Sequence, residues 1–133
     1  MSAAPRRPRR RYLRALGFRY ATLVGLVVGL PLSTGRVRTD GDLIILTGLP
    51  SWAFRRGGTT VGRVYLTGSN DGAAVIRHEK VHVEQWRRLG LWMPFLYWLA
   101  GADPLRNRFE IEAGLEDGGY VRRRPTPARK ANA

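Results

Sequence analysis

The 133-residue chain contains no cysteine. That absence excludes disulfides, thiol nucleophiles and cysteine-based zinc or iron–sulfur sites together, so any metal or catalytic site must use histidines, carboxylates or hydroxyls. Histidine is scarce too, with two in the whole chain, and acids are few: 10 Asp and Glu stand against 23 Lys and Arg, a formal charge of +13. The longest uncharged apolar run is short of a comfortable bilayer span. Tyr20 to Leu32 is an uncharged run of 13 residues closed off by Arg19, whereas a spanning helix needs ~20. What is present, 44% hydrophobic and 25% charged residues, is globular composition. It excludes a wholly disordered chain and a polytopic membrane protein, and the length suits one domain with one core.

A pI near 11.5 ordinarily points to nucleic acid or an anionic membrane. The distribution of charge changes that reading. Residues 1–14 carry six arginines (Arg6, Arg7, Arg9, Arg10, Arg11 and Arg14) and residues 121–133 carry five cations (Arg122, Arg123, Arg124, Arg129 and Lys130), with no acid in either stretch. Without those eleven charges, residues 15–120 hold only +2 of the total. The expected organisation is a basic disordered tail over 1–14, a single folded domain over 15–120 and a second basic disordered tail over 121–133. Such tails are either solvated or contact an anionic membrane surface; nucleic acid is not expected to be the main partner. The run from Tyr20 to Leu32 admits three readings: a secretion signal, a membrane-lying or short inserted helix, or a helix packed on the core. Arg19 interrupts a signal pattern, and Pro31-Leu32-Ser33-Thr34-Gly35 offers no small-x-small cleavage site. A cytoplasmic location is expected, at the cytoplasmic face if a membrane is touched, because the arginine cluster favours that side.

Strand signals fill residues 36–68. Asp42 to Thr47 is a β-branched apolar run ended by Gly48 and Pro50, and Thr59 to Thr67 is a second, bounded by glycines. Ser51 to Arg56 lies between them as a loop. Two strands are not stable as a lone hairpin, so a third, Arg36 to Thr39, is the candidate to pair with them. Ser69-Asn70-Asp71-Gly72 is turn and cap chemistry, after which a helical period runs from Ala73 to Leu89 and stops at Gly90. Leu91 to Gly101 is a core or interfacial helix interrupted by Pro94. Asp103-Pro104 opens a last helix, running to about Leu115 and ending near Gly118-Gly119.

Both histidines fall in His78-Glu79-Lys80-Val81-His82. On a helix, positions i and i+4 share a face, so two imidazoles converge on one ion while the adjacent Glu79 reaches a water. This is the HExxH arrangement, in which zinc lowers the pKa of water toward ~7 and the glutamate serves as general base. The alternative, a chance motif on a solvated helix face, fits poorly with the flanking Val75, Ile76, Val81, Val83 and Trp86. A catalytic zinc takes three protein ligands, so a third must come from downstream. With no third histidine, and with Glu84 facing away on the same helix and Asp103 explained as a helix start, Glu110, Glu112, Glu116 and Asp117 stay open.

HExxH followed by a Glu in an E-x-x-A context resembles the gluzincin zinc metallopeptidases. The short chain with His82-x-x-Gln85 is similar to the compact single-domain minigluzincins, over roughly residues 60–118. The resemblance implies an α+β fold, a small zincin-like domain with a short antiparallel sheet on an active-site helix and a glutamate-bearing helix, to which the chain adds an apolar N-terminal helix. It implies one Zn2+ per chain held by His78, His82 and Glu110, with Glu79 as general base; Glu112 is the second choice for the third ligand, rotated ~200° around the helix from Glu110. It further implies a peptide or protein substrate, paired with the strand Thr60 to Thr67 by β-augmentation. Larger relatives carry an Asp after the Ala to orient a ligand histidine. Gly114 stands there in this chain, which leaves Asp117 as the candidate partner. Tyr97, Asn107 and Tyr120 are candidates to stabilise an oxyanion. Trp86, Trp92, Phe95, Tyr97 and Trp98 are assigned to core packing or a membrane interface. The expected function is a zinc-dependent metallopeptidase; the alternatives are an inactive zinc-binding interaction protein and a basic membrane-surface or nucleic-acid module.

Overall fold

A computed structural model describes residues 8–53 and 57–122. Its elements are α1 (Pro8–Leu32), β1 (Val37–Asp40), β2 (Leu43–Leu46), β3 (Gly58–Val61), β4 (Val64–Thr67), α2 (Ala73–Leu89), α3 (Trp92–Ala100) and α4 (Arg108–Ala113). The fold is mixed α and β. A four-stranded sheet in the order β1-β2-β4-β3 lies between α1 and α2.

Side-chain alternation along the strands explains that sandwich. Leu43 and Ile45 of β2 and Tyr65 of β4 face α2, where they meet Ile76 and Val83. Leu46, Val64 and Leu66 face the other way, against Leu26 and Leu32 of α1. A sheet covered on both faces needs apolar residues at consecutive positions. The fully buried β4 supplies them, with Val64, Tyr65 and Leu66 in a row. A third cluster joins Ala21, Trp86, Met93 and Phe109, tying α1, α2, α3 and α4 together at one end of the sheet.

Several expectations are corrected. The sheet is not wholly antiparallel: β1–β2 and β3–β4 are antiparallel pairs, but β2 and β4 run parallel. The cause is that Thr59 to Thr67 is two strands rather than one. Gly62 adopts φ +62° and turns the chain through a two-residue hairpin, with Val61 paired to Val64, the glycine usage such hairpins prefer. A Cβ on Gly62 would lie 2.4 Å from the Thr22 backbone nitrogen of α1, so close helix approach also requires glycine there. Arg36 to Thr39 does pair with β2, as β1 shifted by one residue.

The basic stretch 1–14 is not all tail. α1 begins at Pro8, because Pro suits a first helical turn and arginine is a good helix former; residues 1–7 of that expected tail, and 123–133 of the other, lie outside the described residues. So do Phe54 to Arg56 of the loop. The cap of α2 is Gly72, with no side-chain cap bond, in place of a Ser or Asp cap. Pro94 falls in the first turn of α3, where it interrupts nothing. The last helix is shorter than expected. The stretch from Asp103 to Arg106 forms turns, Asn107 caps α4 by accepting from the Phe109 N–H (2.9 Å), and Gly114 at φ +99° stops it after six residues.

α1 packs through small residues at four-residue spacing, Gly17, Ala21, Gly25 and Gly29, its only buried positions. A Cβ on Gly25 would stand 3.0 Å from Val64 Cβ and 3.1 Å from the Val61 carbonyl. The substitution Gly25→Leu is therefore expected to lower stability by about 1–3 kcal/mol through overpacking, whereas Val27→Leu on the outer face should change it by no more than about 0.5 kcal/mol. Urea denaturation followed by circular dichroism measures both.

Candidate metal centre

α2 presents His78 and His82 on one face, one turn apart, and both are buried. Glu110 reaches the same point from α4. His78 Nε2 lies 2.9 Å from Glu110 Oε2, His82 Nε2 lies 3.1 Å from His78 Nε2, and His82 Nε2 lies 3.5 Å from Glu110 Oε2. α2 is braced by the sheet, so the six-residue α4 is the element that has to be held in place. The holding is done by Asn107, fully buried, whose amide donates to the carbonyls of Tyr97 (3.2 Å) and Gly101 (3.0 Å) while its oxygen caps α4. Asn107 therefore fixes Glu110 relative to α3, and it has no role as an oxyanion donor.

The far nitrogen of each imidazole is also engaged. His78 Nδ1 is 2.8 Å from the Gly114 carbonyl, an acceptor, so Nδ1 carries the proton. His82 Nδ1 is 2.7 Å from Gln85 Oε1. Because Gln85 Nε2 donates to the Phe109 carbonyl (2.9 Å) and Glu112 Oε1 (3.3 Å), its oxygen must face His82, which makes that Nδ1 a donor too. With both Nδ1 atoms engaged, the two Nε2 atoms are the ones turned toward each other and toward a carboxylate oxygen of Glu110. These three atoms form a donor set that one cation could bridge.

Electrostatics bind the same groups to one another. Burial favours a neutral Glu110, but bonds from His78, His82 and Tyr97 outweigh it and hold that carboxyl well below its ordinary range. Burial also disfavours charge on His82, yet the Glu110 bond and the Glu79 charge raise it above its ordinary value. The trio fits zinc in size. Four-coordinate zinc with donors at ~2.0–2.1 Å sets neighbouring ligand atoms ~3.3 Å apart, close to the three separations here.

Glu79 lies beside the trio in the same cleft of about 680 Å³, bounded by β3, α2, α3 and Tyr120. Its Oε2 accepts a 2.6 Å bond from Thr60 of β3. Burial lifts the Glu79 carboxyl above its ordinary range, against the lowering influence of His82, Thr60 and His78. Tyr97 donates from its hydroxyl to Glu110 Oε1, and the Tyr120 ring lies tilted beside that of His78, 5.9 Å between centroids. β3 is an edge strand along the cleft, although its Thr60 carbonyl accepts from Trp86 Nε1 (3.0 Å).

The structure brings His78, His82, Glu110 and Glu79 together, with Tyr97 and Tyr120 at the cleft, and leaves the other carboxylate candidates outside. Glu112 points away, bonded to Arg88 at 2.6 Å, and acts on the centre only through Gln85. Glu84 pairs with Arg87 at 3.7 Å on the surface. Asp117 does not orient a histidine: the chain turns after Gly114, and both its carboxylate oxygens go to Arg77 (3.1 and 3.2 Å). The orienting groups are the Gly114 carbonyl and Gln85. Gln85 was visible as the i+3 neighbour of His82; the Gly114 carbonyl and the Thr60 bond to Glu79 carry no sequence signal. Comparison of the chain with known protein families, curated proteins and solved structures returns no match.

Orienting partners of ligand histidines typically contribute 10–100-fold to metal affinity. Gln85→Leu is accordingly expected to weaken zinc binding by about 10–100-fold in chelator competition, with Glu112→Gln changing it less than about threefold. A Glu112→Gln loss as large as that of Gln85→Leu would contradict the ligand geometry.

Proposed function

We propose that the chain is a zinc-dependent hydrolase of the metallopeptidase type, acting on peptide bonds. The observation that carries this reading is the convergence of three candidate ligand atoms, His78 Nε2, His82 Nε2 and Glu110 Oε2, within 3.5 Å of one another and beside Glu79 in one cleft. The resemblance of HExxH and the downstream Glu to gluzincins supports the same reading. Zinc bound there would polarise the scissile carbonyl and acidify water.

The chain's own groups divide the remaining work. Glu79, tethered at Oε2 by Thr60, has its second carboxylate oxygen to accept a proton from the attacking water and pass it to the leaving amine. The hydroxide equivalent stays on the acyl carbon, so the peptide C–N bond is exchanged for an acid and an amine. Tyr97 bonds Glu110 and so positions a ligand. Tyr120, at the cleft wall, is the candidate to donate toward a developing oxyanion. β3 offers an extended substrate an edge beside Glu79.

Elemental analysis of the purified protein should give about one zinc per chain, lost in Glu110→Ala and retained in Glu112→Ala. Glu79→Gln should keep the metal and lose about 10²–10⁴-fold in peptide turnover, the usual contribution of a general base. Metal retained by a wild type that turns over no faster than Glu79→Gln would favour the second reading, a zinc-binding interaction protein. No zinc in the wild type after reconstitution would sink both.

A further inference from the structure

The outside of α1 is unlike its inside. Outside the buried glycine stripe, Leu13, Leu16, Tyr20, Leu23, Val27 and Leu30 form a row with spacings of three and four residues, each about half exposed or more. Isolated apolar surface residues need no explanation, but a continuous row does. A second exposed apolar surface lies next door on α3, where Trp92, Phe95, Trp98 and Leu99 are 64%, 50%, 75% and 60% exposed. The two elements abut: a Cβ on Gly17 would stand 2.9 Å from the Leu91 nitrogen, just before α3. Along the flank of α1, Arg11, Arg14, Arg19 and Arg63 line a groove of about 760 Å³. None of the four forms a salt bridge among the described residues, unlike Arg87 and Arg88 in the same groove, which pair with Asp42, Glu84 and Glu112. α1 contains no acid at all.

We infer that the outer row of α1, its arginine-lined groove and the exposed aromatic face of α3 together dock on the surface of an anionic phospholipid bilayer. The apolar rows would enter the headgroup–acyl boundary, where Trp and Tyr side chains are favoured, and the unpaired guanidiniums would meet lipid phosphates. A second copy of the chain fits worse. Parallel pairing of α1 sets arginine against arginine, and antiparallel pairing sets arginine against Val27 and Leu30. A nucleic acid would take the arginines and leave both apolar rows in water. A single acidic partner helix would cover α1 but leave α3 bare, whereas a bilayer is extended enough for both. The helix is long and apolar enough to cross a membrane by length and composition. Its glycine stripe, however, is seated on Val64, Leu66 and Leu91, so in this packing it lies against the domain and offers one face. Because Met93 and Tyr97 on the other side of α3 line the cleft, docking sets the cleft next to the bilayer. Only that consequence rests on the proposed hydrolase; the docking does not.

Zinc-free full-length protein mixed with vesicles of phosphatidylcholine, with and without about 30 mol% phosphatidylglycerol, tests the inference by co-sedimentation and tryptophan emission. Binding to the anionic vesicles should be about tenfold tighter or more, with a blue shift that is lost in Trp92→Phe/Trp98→Phe. Leu16→Ser/Leu23→Ser/Val27→Ser and, separately, Arg11→Gln/Arg14→Gln/Arg19→Gln should each weaken it about tenfold or more. These positions are surface ones, and unchanged thermal midpoints would exclude unfolding as the cause; the wild-type shift and lipid preference need no variant at all. No vesicle binding would overturn the inference. So would binding without a blue shift that the serine variant leaves intact, which is adsorption through charge alone. A dimer by light scattering that Leu23→Asn splits, without lipid binding, would assign the face to a second copy.

Discussion

Bringing two imidazoles and a carboxylate together out of water is costly unless each is held to a partner, and much of this small domain is arranged to keep His78, His82 and Glu110 from separating. The helix α2 supplies rigidity for two of them, because i and i+4 positions on a helix cannot drift apart without breaking backbone hydrogen bonds. The third is the harder one. α4 is six residues long, too short to persist on its own, so its place depends on tertiary bonds from Asn107 and on Gln85, which spans His82 and the Phe109 carbonyl. Every buried side-chain nitrogen and oxygen among the described residues has a partner. A network so completely satisfied resists collapse into an apolar core, since losing any one member strands another.

That constraint explains why the sheet sits where it does. β3 supplies Thr60 to Glu79 and accepts from Trp86, so the edge strand is bonded to α2 at two points 2.6 and 3.0 Å long. β4 is held between β2 and β3, and α1 presses on the hairpin turn that connects β3 to β4. Thr22 makes that contact: its hydroxyl donates to Phe18 within α1 and accepts from the Arg63 N–H at the turn. Position therefore passes from α1 through the turn to β3, and from β3 to the carboxylate of Glu79. The glycines of α1 belong to this chain of contacts, because a larger residue at 25 would push the hairpin and with it Thr60.

What the sequence discloses tracks how local the signal is. His78, Glu79 and His82 are readable because one turn of helix contains the geometry. Glu110 is separated from them by 28 residues and a whole helix, and it was reachable only through a resemblance; nothing in its spacing distinguishes it from Glu112. The distinction is made by Asn107, which starts α4 at Arg108 and so turns Glu110 inward and Glu112 toward Arg88. The parallel β2–β4 pair was hidden because Gly62 lies inside a β-branched run, where it reads as a weak strand residue and acts as a turn. The arginines of residues 8–14 were misread for a related reason: charge density suggested a solvated tail, while arginine's high helix propensity and Pro8 favour the first turns of α1. Asp117 fails as an orienting residue because the left-handed conformation at Gly114 hands that role to a backbone carbonyl, which no side-chain pattern reveals.

α3 joins the two features of the molecule that are hardest to explain separately. It has no charged residue among Trp92 to Ala100, and only Met93 is fully buried, so most of its apolar surface contributes nothing to a core. One side nonetheless serves the centre: Tyr97 bonds Glu110, and the Tyr97 and Gly101 carbonyls hold Asn107. A helix whose inner side holds Glu110 and Asn107 cannot move outward to hide its aromatic side without loosening α4. The exposed Trp92, Phe95 and Trp98 are thus the consequence of fixing Glu110 from a short, uncharged helix in a domain too small to cover it, and whatever shields that aromatic side from water also steadies Glu110.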